Sequence, residues 1–434
     1  MNTHVLFLGG TGARTHRALV HCLASGMYQE LMPKDLEFHS YLIDLDAANG
    51  DGARSRHIAQ YYQEIQRKYQ SRLNGPSDCP LFSIPLHETD IPLPSLKTYI
   101  FANLENDAQL FLYSLVGDIK SNTKNEMGTY IAMSAADLTP LIKDLDPYRD
   151  LVIIVGGTFG TTGYAGMAEL ACRIRQIHSK CRVAIIPVGP YFKLHTPENG
   201  SVYSETFFTR HSLLKYFYNG TLKRELSQIT VYDVCLSDRE VDSLRYAEGG
   251  AEQKNPSHIV ELCAASAIFD LIKMPWVEGE IMEFDMRAIK AGHFIGFDVF
   301  PNEMRNQIDR LLCFSIWCRH FAPRTNSTPK EIRQFADDFC VWLEEMKQHT
   351  ISFDPIDFSK KELSKSFKWY KPTVQFGFFR RDPLNGSSLD KDFKIAYQKQ
   401  DDALPDKLKQ LKAEYAACIN MWKQFKGICK MTNV

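Results

Sequence analysis

Five apolar residues in a row, Leu151-Val152-Ile153-Ile154-Val155, run straight into Gly156-Gly157-Thr158-Phe159-Gly160-Thr161-Thr162-Gly163. A strand with no polar alternation needs apolar cover on both faces, which is the situation of a parallel sheet with helices above and below it. The loop that follows holds four glycines and three threonines within eight residues. Packing a strand-to-helix turn takes one or two glycines, so the surplus predicts backbone wrapped around a ligand. Without a Cβ the chain can take positive φ, and its N–H groups can approach a phosphate at the positive end of the next helix. Threonine hydroxyls add further donors. A purely conformational use of the same glycines is the competing reading.

The amino-terminal stretch has the same grammar. Val5-Leu6-Phe7-Leu8 ends in Gly9-Gly10-Thr11-Gly12, and Ala18, Leu19, Cys22 and Leu23 then recur at helical spacing. This loop taken alone is the weaker signal, because tight strand-to-helix turns use glycine with or without a ligand. Arg14, just inside the helix, has two readings: a partner for phosphate or a solvated surface cation. Phe38 to Ile43 reads as a second strand and ends in Asp44-Leu45-Asp46. That places two carboxylates at the end of the sheet where open α/β folds bind their ligands. They could hold a ribose or, through water, Mg2+, or they could cap the following helix.

Further strands are expected at Arg182 to Pro187 and Ile229 to Leu236, and helices at Ala53 to Leu73, Tyr164 to His178, Ser204 to Leu226 and Ser257 to Ile272. Pro80, Pro85, Pro92 and Pro94 predict a loop, and Asn106 to Ile119 a helix, so residues 77–147 read as an insertion or subdomain. Strands alternating with helices give a doubly wound, mostly parallel α/β sheet of Rossmann-like type over residues 1–254. A central helix and a smaller α+β region follow over 255–326, and a helical carboxyl-terminal region over 327–434. Thr328 as N-cap, Pro329 at the first helical position and Glu331 in the first turn mark the start of the last region. Leu404, Leu408, Leu411, Tyr415, Cys418, Trp422 and Phe425 form one apolar stripe there. It reads as a docked helix, or as a coiled-coil surface for self-association or a protein partner.

Composition removes several classes of function. Lys plus Arg number 51 against 52 Asp plus Glu, so no global field draws in nucleic acid or an anionic membrane. The 11 cysteines are scattered without metal or redox spacing and read as reduced core thiols. No apolar run approaches the ~18 residues of a membrane span, and Met1-Asn2-Thr3-His4 enters a strand with no basic leader, so a cytoplasmic protein is expected. His16 and His21 are expected to serve packing, and no H-E-x-x-H or G-x-S-x-G motif supports a metal or serine enzyme. There is no P-loop lysine motif. A dinucleotide fingerprint would read Gly10-Thr11-Gly12-Ala13-Arg14-Thr15, without its third glycine, and the next acidic pair lies beyond the usual ~20 residues. A Rossmann-type enzyme using NAD(P) or an adenylate is therefore the second reading.

The Gly157 to Gly163 segment resembles the tubulin and FtsZ signature G-G-G-T-G-[ST]-G with one extra residue, Phe159. The order of elements is similar too. A glycine-rich first loop, an acidic second loop, the signature loop, a strand ending toward Pro-Phe and a strand ending in a polar residue match Gly9 to Gly12, Asp44 to Asp46, Gly156 to Gly163, Pro187 to Phe192 and Ser237-Asp238. The resemblance covers roughly residues 1–290 and implies a guanine nucleotide, GTP or GDP with Mg2+, held by loop amides and Asp238. It also implies that acids after the central helix serve the nucleotide of a neighbouring subunit, coupling hydrolysis to assembly. By position these are Glu280, Glu283 and Asp285, although the FtsZ-type N-x-D-F pattern is absent and solvated loop carboxylates are the alternative. A third reading is a scaffold whose nucleotide only stabilises the fold.

Overall fold

The computed structural model describes residues 1–73, 81–91, 135–158, 160–191, 229–235, 250–276, 281–285 and 329–350, with Leu93, Met133, His211, Gln307, Leu311, Phe314 and Cys318 as single positions. Its elements run β1 (Asn2–Leu8), α1 (Gly9–Ala24), β2 (Glu37–Ile43), α2 (Gly50–Leu73), β3 (Leu86–Asp90), α3 (Thr139–Asp144), β4 (Leu151–Gly157), α4 (Thr161–Ile177), β5 (Arg182–Val188), β6 (Ile229–Cys235), α5 (Ile259–Lys273), β7 (Ile281–Asp285) and α6 (Lys330–Thr350). The strands form one sheet in the order β3-β2-β1-β4-β5-β6-β7. Every neighbouring pair is parallel. The expected doubly wound α/β architecture is thus present.

The strand order explains the two-layer cover. From β1 the chain moves one way along the sheet to β2, and from β4 the opposite way to β5; right-handed crossovers then put α1 and α4 on opposite faces. Alternate residues of β1, β2, β4, β5 and β6 feed the two cores. Val5, Phe7, Ile153 and Val155 pack with α1, α2, α5 and α6, whereas Leu6, Leu8, Val152 and Ile154 pack with α4. All of β4 is buried, as its uninterrupted sequence predicts. In α5, Ile259 through Ile272 are buried, the mark of a helix that is apolar all round and sits inside the fold. Its start is fixed by a capping box: the Glu261 carboxylate accepts from the His258 N–H at 2.8 Å, and His258 Nδ1 accepts from the Val260 N–H at 3.2 Å.

Several expectations are corrected. The proline-rich stretch read as a loop contains β3, an edge strand paired with β2 from Phe38↔Leu86 to Leu42↔Asp90. Glu283 and Asp285, read as loop residues, lie on β7, in register with Asp233 and Cys235 of β6. Helix α1 starts at Gly9, so Gly10, Thr11 and Gly12 are its first turn, with no separate glycine turn before it. Pro329 is one position earlier than expected: its carbonyl accepts the first helical hydrogen bond of α6, from Arg333 at 3.1 Å. The expected helices at 106–119 and 204–226 and the stripe from Leu404 to Phe425 lie outside the described residues, apart from His211.

Candidate functional site

In an open parallel sheet the crevice for ligands opens at the carboxyl ends of two neighbouring strands whose connections leave in opposite directions. Here those strands are β1 and β4, paired from Thr3↔Leu151 to Leu8↔Gly156. Both glycine segments follow them directly. They also touch: a Cβ on Gly9, which holds φ +65°, would stand 3.2 Å from Cβ of Thr162.

Two helices therefore begin side by side. Neither the α1 cap, Leu8, nor the α4 cap, Gly160, makes a side-chain capping bond, and neither helix has an acidic residue in its first turn. The first N–H groups of a helix have no partner within it, and the macrodipole adds positive potential there. Two helix starts at one crevice combine their positive potential there, an arrangement that suits an anion.

The glycines divide by use. A Cβ on Gly12 would lie 2.6 Å from the Phe7 carbonyl carbon, and one on Gly163 would collide with the Gly157 backbone oxygen. Gly156 is pressed between Gly163 and Leu8, its Cβ position 3.0 Å from Gly163 Cα. Those three serve close packing of strand on helix. Gly160 differs: among the described residues nothing stands within 4 Å of its Cβ position, and it is exposed. Gly9 and Gly10 are half-exposed beside it, with the Gln253 amide so close over Gly10 that a Cβ would strike its nitrogen. Among the described residues at the crevice, the half-exposed Gly9 and the exposed Gly160 present open backbone.

The threonines divide too. Thr158 is fully buried and faces inward: its N–H donates to Val188 O at 2.9 Å, and its hydroxyl lies 3.2 Å from the same oxygen and 3.1 Å from His211 Nδ1. His211 Nε2 in turn is 3.2 Å from an Asp233 oxygen. Thr11 is buried and is 3.3 Å from Arg14 Nη2, while Thr162 is half-buried at the crevice. Thr161 opens α4, and Phe159 lies outside the described residues.

Of the two readings of Arg14, the solvated surface cation is excluded, because the residue is buried. Its Nε donates to Glu261 at 2.5 Å, Nη1 to Asp51 at 2.6 Å and Nη2 to the Tyr191 hydroxyl at 2.6 Å. Tyr191 donates onward to the same Glu261 oxygen at 2.5 Å. Burial pushes the Glu261 and Asp51 carboxyls upward, and the Arg14 guanidinium beside them pulls back. The cluster joins α1, α2, α5 and the residues after β5 directly beneath the first loop.

Asp44 and Asp46 stand at the carboxyl end of β2, as expected, and shape the turn there. Asp44 accepts from the Asp46 N–H at 3.1 Å and from Asn49 Nδ2 at 2.5 Å, and burial raises its carboxyl. Asp46 accepts from the Ala48 and Gly250 N–H groups. Capping of α2 falls to Asn49, whose side-chain oxygen accepts from Asp51 and Gly52 at 2.9 and 3.3 Å.

Asp51, Glu261, Tyr191 and Gln253 carry no sequence motif. The chain enters this place through Gly250, which takes φ +69° and whose N–H donates to Asp46. Asp238, Glu280 and Phe192 lie outside the described residues. Histidines 16 and 21 are buried in packing roles, against Phe7 and against Phe335, Phe339 and Trp342.

No family model and no curated protein sequence matches this chain. Among solved structures it is similar to CetZ2 from Haloferax volcanii, in a GTPγS-bound protofilament, at 13% identity. The match covers 63% of this chain and 58% of that one, with a TM-score of 0.30. No described helix is long and apolar enough to cross a membrane.

Proposed function

We propose that this protein binds a phosphorylated nucleotide in the crevice between β1 and β4, with backbone N–H groups of both helix starts on the phosphates. The observation that carries the proposal is the pair of uncapped, acid-free helix N-termini meeting at that crevice. Guanine as the base, and Mg2+ beside the phosphates, rest on the resemblance of the Gly157 to Gly163 segment to the tubulin and FtsZ signature. Arg14 acts from behind: already bonded to Asp51, Glu261 and Tyr191, it orients α1 rather than meeting the phosphate.

Turnover is a separate matter, because hydrolysis needs a group that positions water. Glu283 and Asp285 lie on β7, three strands from β4. A role for them, or for Glu280, is a role at the nucleotide of a neighbouring copy. It predicts hydrolysis per chain that climbs with protein concentration.

One observation favours a dinucleotide instead. Asp44 follows β2 directly, where a ribose-binding acid stands in NAD enzymes. Against it, both Asp44 oxygens already accept protein donors. Calorimetric titration with GTP, GDP, ATP and NAD+, with and without Mg2+, separates the readings. Saturable binding of the guanine nucleotides is expected, preference for NAD+ would favour the second reading, and no binding of any of the four would overturn both.

A further inference from the structure

A row of three histidines crosses the amino-terminal half of the same sheet. His4 of β1 is in register with His39 of β2, and His39 with His87 of β3. Side chains in register share one face. Glu37, two residues before His39, lies on that face as well. The ring centroids of His4 and His39 are 4.7 Å apart and stacked, and those of His39 and His87 are 4.9 Å apart. Glu37, His39 and His87 each offer a ligand atom within 4.8 Å of the other two, and His87 Nε2 is 3.3 Å from Glu37 Oε2.

We propose that Glu37, His39 and His87 form a binding site for a divalent transition-metal ion, zinc foremost, which clips the edge strand β3 to β2. Ligand atoms of a tetrahedral zinc ion, with bonds of about 2.0 to 2.2 Å, stand about 3.3 to 3.5 Å apart. The His87–Glu37 edge has that length, and small side-chain rotations bring in His39. Two imidazoles and one carboxylate are a donor set that zinc takes, and they leave a fourth position for water. Glu37 and His39 are half-buried while His87 is exposed, so the ion can enter from solvent. His4 is the support behind: buried, bonded to Tyr41 at 3.1 Å and stacked on His39, it fixes one side of the ligand ring.

The site lies at the opposite end of the strands from the glycine loops, so it is tested without nucleotide. The chelator-treated full chain, with its thiols kept reduced, is titrated with zinc chloride in competition with a chromophoric chelator, and Co2+ is added as a spectroscopic probe. One zinc per chain is expected, with the visible absorption of four-coordinate Co2+ and a raised unfolding temperature when zinc is present. His87→Ala on the exposed edge should weaken zinc by at least the about 100-fold that loss of a mere supporting group can cost. His57→Ala, an exposed histidine of α2, should leave it unchanged. Absence of stoichiometric zinc binding overturns the proposal, as does full affinity in both His87→Ala and Glu37→Gln.

Discussion

A methyl group on Gly163 would collide with the Gly157 carbonyl oxygen, whereas one on Gly160 would meet no described residue within 4 Å. The same substitution should therefore behave oppositely at two positions three residues apart. Gly163→Ala is expected to cost about 1 to 3 kcal/mol, the range for overpacking, and Gly160→Ala to stay within about 0.5 kcal/mol, both read by denaturant unfolding. Buried imidazoles give a second expectation. Burial pushes His16 down to about 3 and His4 to about 4 from an ordinary 6.5. Below pH 6.5 the unfolded chain takes up protons that the folded chain refuses, so stability must fall as pH drops from there toward 4. The thermal midpoint followed across that window should decline, and His16→Gln should flatten the profile; a level wild-type profile would count against the burial of these rings. At this scale the glycines, the acidic pair after β2 and the packing histidines were legible in the sequence. The burial of Arg14 was not, because its acidic and tyrosine partners lie 37, 177 and 247 residues away and no local pattern announces them.

Helix α4 opens with Gly160 as its cap and bare N–H groups behind it. Aspartate is among the best N-cap residues and adds a favourable charge to the dipole, and Gly160 has the room and an extended backbone, φ −91° and ψ 142°. Gly160→Asp should thus hold or raise stability by a few tenths of a kcal/mol, while its carboxylate occupies the donors proposed for phosphate and repels the ligand. Loss of nucleotide binding without loss of stability would be hard to explain if this end were only a turn. Strands β1, β4, β5 and β6 and helices α4 and α5 could be read from apolar runs and helical spacing. Strand β3 could not: in Leu86-His87-Glu88-Thr89-Asp90 only Leu86 is buried, and Pro85 and Pro92 frame it as a loop would be framed. An edge strand held by backbone bonds on one side needs little apolar content.

Across the whole molecule, the first and last described helices are tied by charge. Arg17 of α1 is buried and bonds both oxygens of Asp338 on α6 at 2.8 and 3.0 Å, together with Glu345 at 2.8 Å. The Arg17 guanidinium holds the Asp338 carboxyl well below the usual carboxylate range, against the upward push of burial. Asp338→Ala leaves that cation one acid short, and a destabilisation toward the lower end of about 3 to 5 kcal/mol is expected, since Glu345 remains. That link spans 321 residues, beyond the reach of sequence patterning, whereas the alternation that makes the sheet doubly wound was plain in the order of runs. The central claim, a phosphate site at the β1–β4 crevice, is tested most directly by calorimetric titration of GTP into the wild-type chain and into Gly160→Asp. The account predicts saturable binding to the wild type and at least about tenfold weaker binding to the variant, a loss of about 1.4 kcal/mol, with the variant folded as stably as its parent. Equal affinity in the two proteins would contradict it, as would no binding of GTP to the wild type.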